Sequence, residues 1–189
     1  RHRSQHWEGS ISVFYIYFED YIFSERQSGL EEDGLPVYNY TAVGASFFGF
    51  EGELDYIAYR STETTLRLGV LTDYVVAENR DNNDELPRIP PFRLGGKAEL
   101  EYRNWSAGLL LRHNFEQNNS APTESNSDAY TELEADIGYV FDLGSNRRLT
   151  AFVRASNLLD EEIRPHTSFI KDEAPRPGRN FTVGARLEF

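Results

Sequence analysis

The 189-residue sequence contains no cysteine and no methionine. Without cysteine the chain has no disulfide scaffold, no nucleophilic thiol and no thiolate ligand for a metal ion. The histidines are scattered and no Gly-rich phosphate loop follows a strand, so we expect neither an enzyme nor a bound cofactor. Because methionine is missing even at position 1, and no signal peptide opens the chain, we expect a part of a longer translation product.

Basic residues and long apolar runs are also scarce. The sequence has 19 Lys and Arg residues against 31 Asp and Glu residues, for a formal net charge of −12. Because neutralising phosphates needs a basic surface, we expect no nucleic-acid partner. No apolar run approaches the roughly 18 residues of a transmembrane helix. A membrane barrel is still compatible with this composition, since its strands place apolar residues only at every second position.

Alternating segments are abundant, and the clearest is residues 180–189. Its apolar face consists of Phe181, Val183, Ala185, Leu187 and Phe189. Strict alternation predicts a β-strand, and about ten residues suffice for a tilted strand to cross a bilayer. We therefore expect this face to contact lipid. A half-buried strand of a soluble antiparallel sheet would show the same alternation, so the other segments have to decide.

Seven earlier segments alternate in the same way, which predicts about eight strands. They lie within residues 7–23, 37–59, 66–76, 92–102, 105–115, 133–141 and 149–156, and residues 180–189 are the eighth. Their connections alternate between long polar segments, 24–36, 78–91, 116–128 and 157–178, and short turns, 60–63, 103–104 and 143–147. Long loops on one side and short turns on the other are typical of outer-membrane barrels, whereas a soluble sandwich has no reason for this arrangement. The sequence therefore predicts an all-β, antiparallel, up-and-down transmembrane β-barrel.

Two kinds of barrel fit this pattern. About eight strands can close into a small, complete barrel with a structural or adhesion role. Alternatively, the chain is the C-terminal portion of a larger barrel. The opening residues 1–6 look like the end of a strand whose beginning lies outside the sequence, which favours the larger barrel.

Two motifs near the C-terminus resemble the end of TonB-dependent outer-membrane receptors. The first is Asn157-Leu158-Leu159-Asp160, and the second is Pro177-Gly178-Arg179 shortly before the last strand and the terminal Phe189. Stretches around residues 14–22, 49–54 and 86–91 agree with the family and occur in its order. The combination is specific, and the resemblance covers nearly the whole chain.

The resemblance implies a 22-stranded barrel with a plugged lumen. Residues 1–189 would then form about eight C-terminal strands of the barrel domain, without the plug and without the box that engages TonB. The family takes up scarce nutrients actively across the outer membrane of Gram-negative bacteria. Implied partners are outer-membrane lipid and lipopolysaccharide, the TonB energy-transducing complex through the N-terminal region, and the barrel-assembly machinery through the C-terminal strand.

Residues 166–172 resemble the subgroup of the family that takes up metal ions, particularly zinc. His166 is the best single candidate ligand, and the predicted set also contains Asp160, Glu161, Glu162 and Asp172. Imidazole and carboxylate suit zinc where no thiolate is available. We expect a weak, solvent-exposed capture site at the outer mouth. The alternatives are that these are only hydrated loop charges, or that the cargo is a siderophore, haem or cobalamin. His113 is expected in an aromatic rim instead.

Overall fold

The computed structural model describes residues 2–3 and 6–189. It contains nine strands in this part of the chain. They are β1 (His2–Arg3), β2 (Trp7–Glu32), β3 (Leu35–Arg60), β4 (Thr64–Asn79), β5 (Arg93–Tyr102), β6 (Trp105–Asn114), β7 (Tyr130–Asp142), β8 (Arg148–Ser156) and β9 (Asn180–Glu188). They form one sheet in which each strand pairs with the next along the chain, and every pairing is antiparallel. The predicted all-β, up-and-down architecture is confirmed. Among the described residues, there is no helix with the length and apolar character needed to span a membrane.

The predicted loop at residues 24–36 was wrong, because β2 and β3 continue through it as a paired hairpin. The ladder runs on to Glu32 opposite Leu35, and only Asp33 and Gly34 form the turn. Both turn residues have positive φ, 52° and 79°, which an Asp-Gly pair adopts readily in a two-residue hairpin. The polar composition of the segment concealed this hairpin signal. The structure also adds the two-residue β1, which lies in the segment expected to be the end of a strand.

The long connections all lie at one end of the sheet, because every neighbouring pair is antiparallel. Apart from the β2–β3 hairpin, they are loops 80–92, 115–129 and 157–179. The short turns, 61–63, 103–104 and 143–147, lie at the opposite end. The predicted alternation of long and short connections is therefore confirmed for the three loops after β4, whereas a paired hairpin takes the place of the predicted loop 24–36. We call the two ends the long-loop end and the short-turn end.

One face of the sheet is continuously apolar. Val183 in β9 lies opposite Val153, and Val153 lies opposite Ile137 in the next strand. The ladder continues this face as far as β2, where Ile11 and Val13 are exposed. Four of the five residues predicted to share one face of the last strand do so, namely Phe181, Val183, Ala185 and Leu187, whereas Phe189 lies just beyond the end of β9. The Val183 side chain is 79% exposed. Their contact with lipid stays a prediction.

Two aromatic groups border the apolar band on this face. The group near the short turns contains Trp7, Tyr56, Trp105, Tyr139 and Phe141. The group near the long-loop end contains Phe50, Tyr74, Phe92, Phe115 and His113. The His113 and Phe115 rings lie 4.5 Å apart, so His113 takes its predicted place in the rim. Trp105 and Phe115 are separated by about 26 Å of depth at a strand tilt of about 40°, close to the height of a lipid-facing band.

The opposite face is charged over most of its area. Arg67 pairs with Glu99 at 2.9 Å, and Arg93 pairs with Asp73 at 2.8 Å. Lys97 lies 3.0 Å from Asp55, two strands away. Gly69 stands between them in register, and a Cβ there would collide with both side chains. This glycine therefore leaves the space through which the ion pair forms.

Towards the long-loop end the charged face becomes apolar, and loop 80–92 folds onto it. Leu86 is fully buried against Ala45 and Ala77, with the aromatic rings of β2 and β3 packed around it. Burying a leucine side chain contributes about 1.5–3 kcal/mol. The contact therefore anchors loop 80–92 over the sheet instead of leaving it in solvent.

The sheet does not close on itself within the described residues. No backbone ladder joins β9 to β1 or to β2 in this part of the chain. β1 and β9 are the two edge strands of the sheet. A closed eight-stranded barrel would require this ladder. The described part of the chain therefore does not form the small barrel that was one of the two alternatives.

Val183→Arg tests whether the apolar face contacts lipid. Val183 lies at the centre of β9, so a charge there should lower the stability of the full-length protein in lipid vesicles by about 2–4 kcal/mol. Leu187→Arg should have a smaller effect, because Leu187 lies level with the aromatic group, through Leu149 and Phe141. Urea-induced unfolding provides the measurement.

The matched control is Thr182→Arg on the opposite face of the same strand. It should change the stability by less than about 1 kcal/mol, since residues on that face contact water. Equal losses for Thr182→Arg and Val183→Arg would contradict the lipid-facing assignment.

Candidate functional site

The four long connections enclose a cavity of about 180 Å³ at the long-loop end. The β2–β3 hairpin and all three long loops contribute to its wall. The charged and aromatic residues that line it include Phe23, Arg26, Tyr38, Asp84, Glu85, Arg88, Glu124, Phe169, Lys171 and Asp172. The antiparallel topology alone brings these distant segments together.

Four residues from three loops meet beside this cavity, and we call them the Glu124 cluster: Arg88, Glu124, His166 and Lys171. The Arg88 backbone N–H donates to both Glu124 carboxylate oxygens, at 3.0 and 3.2 Å. His166 Nε2 lies 3.1 Å from Glu124 Oε2, and Lys171 Nζ lies 3.6 Å from Glu124 Oε1. Glu124 thus contacts loops 80–92 and 157–179 from its own position in loop 115–129.

The hydrogen bonds define the state of His166. Lys171 Nζ lies 3.1 Å from His166 Nδ1, and an ammonium group can only donate. Nδ1 is therefore the acceptor, and Nε2 carries the proton that is donated to Glu124. Ser127 Oγ also lies 3.0 Å from Nδ1. The imidazole links the Glu124 carboxylate to the Lys171 ammonium group.

Glu124 is held as a carboxylate. Burial by itself would raise its pKa, but the hydrogen bonds from His166 and the Arg88 N–H, together with the Lys171 charge, outweigh burial and lower the pKa below its ordinary range. Charge-assisted hydrogen bonds to a carboxylate favour the ionised form in this way. Glu124 and Arg88 were not among the residues singled out in the sequence. Arg88 lies in the proline-rich Leu86-Pro87-Arg88-Ile89-Pro90-Pro91 stretch, which carries the only sequence signal.

Arg88 also connects the cluster with the hairpin. Its guanidinium lies 4.0 Å from the centroid of the Phe169 ring, a cation–π contact. The Tyr38 ring meets the same phenyl ring edge-on at 6.2 Å. Through the Phe169 ring, these contacts connect Arg88 with Tyr38 of β3, which lines the same cavity.

The structure places His166 in the interior, which corrects the expected exposed position. His166 is only 2% exposed, and Lys171 is 4% exposed. Both ring nitrogens have protein partners, so a metal ion would have to displace Lys171 or Glu124. Within the described ranges, no group of three or more His, Asp and Glu side chains is arranged to hold a metal ion.

The four predicted carboxylate ligands have separate partners. Asp172 accepts from Ser125 Oγ, and Glu161 accepts from the backbone N–H of Thr131. Glu162 pairs with Arg164, and Asp160 accepts from the Arg179 N–H. The structure therefore does not gather the predicted set around one point, and each of these carboxylates stabilises the conformation of the loops.

The Asn157 motif closes the base of loop 157–179. Asn157 is 2% exposed and has a positive φ of 49°, a conformation that asparagine tolerates better than most residues. Its side-chain amide donates to the Glu161 and Pro177 carbonyls and accepts from the Glu161 N–H. One side chain thus ties both ends of the loop together.

The Pro177-Gly178-Arg179 motif completes the same closure. The Arg179 N–H donates to Asp160 at 2.8 Å, and its guanidinium donates to the Leu158 carbonyl at 2.9 Å. A Cβ on Gly178 would lie 2.9 Å from the Asp160 carboxylate. The two motifs recognised in the sequence are therefore the two halves of one clamp, which we call the Asn157 clamp.

Comparison with known families agrees with this architecture. Residues 2–158 match the model described as "TonB dependent receptor-like, beta-barrel". The chain belongs to this family. The match ends within the Asn157 motif, so the remainder of the clamp and β9 lie beyond it.

A solved structure of similar fold is the copper transporter OprC. It is 22% identical in sequence and superposes with a TM-score of 0.72. The superposition covers 98% of the present chain and 29% of the transporter. At this identity the similarity establishes the fold of the receptor barrel, and the chain spans less than a third of the transporter's length.

Asn157→Ala should loosen the clamp. It leaves the Glu161 N–H and two carbonyls without their side-chain partner, which we expect to lower the stability of the full-length protein by about 1–3 kcal/mol. Thermal unfolding in detergent provides the measurement. Asn118→Ala, at an exposed site in loop 115–129, should stay within about 0.5 kcal/mol of the parent. Equal effects of the two substitutions would show that the clamp does not stabilise the fold.

The Glu124 cluster should loosen at acidic pH. The pKa of Glu124 is lower in the folded protein than its ordinary value of 4.5. Its stabilising contribution is therefore present above about pH 4.5 and is lost as the pH falls through the lower folded value. Hydrogen exchange of the Arg88 amide, corrected for its intrinsic rate, should accelerate in this range. Glu124→Gln should remove this pH dependence, and an unchanged pH profile in the variant would contradict the assignment.

Proposed function

We propose that the full-length protein is an outer-membrane receptor that takes up a scarce nutrient actively, with energy supplied through TonB. Family membership over residues 2–158 carries this proposal. The apolar band between two aromatic groups and the charged opposite face support it. The present chain supplies wall, lumen lining and external loops, as the C-terminal portion of the barrel domain, and performs no covalent chemistry.

A metal ion is the first cargo to test, with zinc as the leading candidate. The formal net charge of −12, the acidic loops and the resemblance of residues 166–172 to the metal-uptake subgroup support this choice. The copper transporter of the same fold adds copper to the test. Because His166 and the predicted carboxylates have protein partners, we infer that the main metal ligands lie outside the residues that the structure describes. Siderophores, haem and cobalamin are the alternative cargoes.

The proposed partners follow from the location. The apolar band would contact outer-membrane lipid and lipopolysaccharide. The TonB complex would engage a region N-terminal to this chain. The barrel-assembly machinery would recognise the C-terminal strand, which is followed by the 94% exposed Phe189.

Uptake in intact cells tests the receptor and its cargo together. Cells starved of metal should accumulate zinc faster with the full-length receptor than without it, and the gain should disappear when TonB is deleted. Parallel cultures should be given copper, a siderophore, haem or cobalamin. Unchanged metal uptake together with growth restored by one of the organic cargoes would reject the metal assignment and retain the receptor. No TonB-dependent uptake of any cargo would favour a structural barrel.

Two substitutions of His166 distinguish a role as a metal ligand from a structural role. His166→Ala should reduce uptake modestly, because the Glu124 cluster loses its central link. His166→Gln should retain uptake, since an amide can donate to Glu124 and accept from Lys171 but is a weak ligand for zinc. Equal loss in both variants would show that the imidazole itself binds the metal.

A further inference from the structure

The Glu124 cluster joins three loops that are far apart along the chain. Glu124 contacts Arg88 from loop 80–92 and both His166 and Lys171 from loop 157–179. Further bonds reinforce the same junction. Ser125 Oγ donates to Asp172 at 2.7 Å, and Lys171 Nζ donates to the Ser125 carbonyl. Every bond of the junction crosses between loops or ties His166 to Lys171 within the last loop.

Burial makes these contacts depend on one another. The side chains of His166 and Lys171 are 1% and 5% exposed, and that of Glu124 is 12% exposed. A buried charge that loses its partner is strongly destabilised, because neither water nor another charge replaces it. Withdrawing loop 157–179 would leave Glu124 without His166 and Lys171, and withdrawing loop 115–129 would leave Lys171 without its carboxylate. An arrangement in which only one of these loops has moved away from the others is therefore unfavourable.

The β2–β3 hairpin is joined to these loops at two levels. Its base is fixed to loop 80–92, because Leu86 is buried against Ala45 and the Arg80 N–H donates to the Gly44 carbonyl. Its upper part meets loop 157–179 through the rings of Tyr38 and Phe169, which are 41% and 60% exposed. Such a contact can break without stranding a buried charge. The cavity of about 180 Å³ lies between this hairpin and the three loops.

We propose that loops 80–92, 115–129 and 157–179 behave as one rigid unit, with Glu124 as the residue that couples them. Because Leu86 fixes the base of the hairpin to loop 80–92, movement at the long-loop end then occurs between this unit and the upper part of the hairpin, residues 26–38, across the cavity. This coupling of the loops at the long-loop end does not depend on which cargo the receptor carries.

Hydrogen exchange of the full-length receptor, measured by mass spectrometry with and without Glu124→Gln, tests this coupling. The substitution keeps the shape of the side chain and removes its charge. Peptides from all three loops should lose protection together, by about tenfold or more. Peptides from the hairpin turn at residues 26–38 should be unchanged. Glu116→Gln is the matched control, since it alters the same residue type at an exposed site in the same loop, and it should leave all three loops protected.

Faster exchange confined to loop 115–129 would overturn the proposal, as would equal acceleration of the hairpin turn. Lys171→Met removes the cationic partner of Glu124 and should reproduce the loss of protection in all three loops. If Glu124→Gln prevents insertion of the receptor, Lys171→Met decides by the same criteria. The double variant should lose less protection than the sum of the two single variants, because it removes both charges of one buried pair. Additive losses would show that Glu124 and Lys171 act independently.

Discussion

The antiparallel hydrogen-bond ladder that runs from β1 to β9 is the constraint on which the rest of the structure depends. It pairs the backbone of each strand with its neighbours, which a bilayer requires because it contains no water to satisfy unpaired groups. The same ladder fixes which side chains share a face. A shift of one residue would move every apolar side chain to the charged face, so the alternating sequence and the register stabilise each other.

The ladder also determines where the long connections meet. Because every neighbouring pair is antiparallel, all long connections meet at one end, although residues 35–156 separate the first hairpin turn from the last loop along the chain. The charged face becomes apolar there, and Leu86 folds loop 80–92 back onto the sheet. The loops at this end are therefore partly packed, with their own buried residues, and the cavity between them has defined walls.

Polar groups stabilise these loops, in contrast to the apolar contacts of the sheet. Asn157 and Asp160 hold the base of the last loop, while Glu124 and Lys171 hold its upper part against the neighbouring loops. Buried polar groups of this kind add little net stability, but a missing partner is strongly unfavourable. Such networks select one arrangement of the loops among many. The family motifs at residues 157–160 and 177–179 contribute to this selection.

The sequence by itself determined the strands, their faces and the alternation of their connections, because a period of two residues is a local property that survives in any antiparallel sheet. It also identified the two motifs, although it could not show that they form one clamp. Only the tertiary structure decided the environment of His166, since Glu124 and Ser127 approach it from about 40 residues away. The carboxylates near His166 in sequence bind other partners, because neighbours along a loop point in different directions. The Asp33-Gly34 pair is a sequence signal for a two-residue hairpin turn, but the polar composition of residues 24–36 concealed it. Burial, and the pairing of charges across loops, depend on long-range contacts that no local pattern encodes.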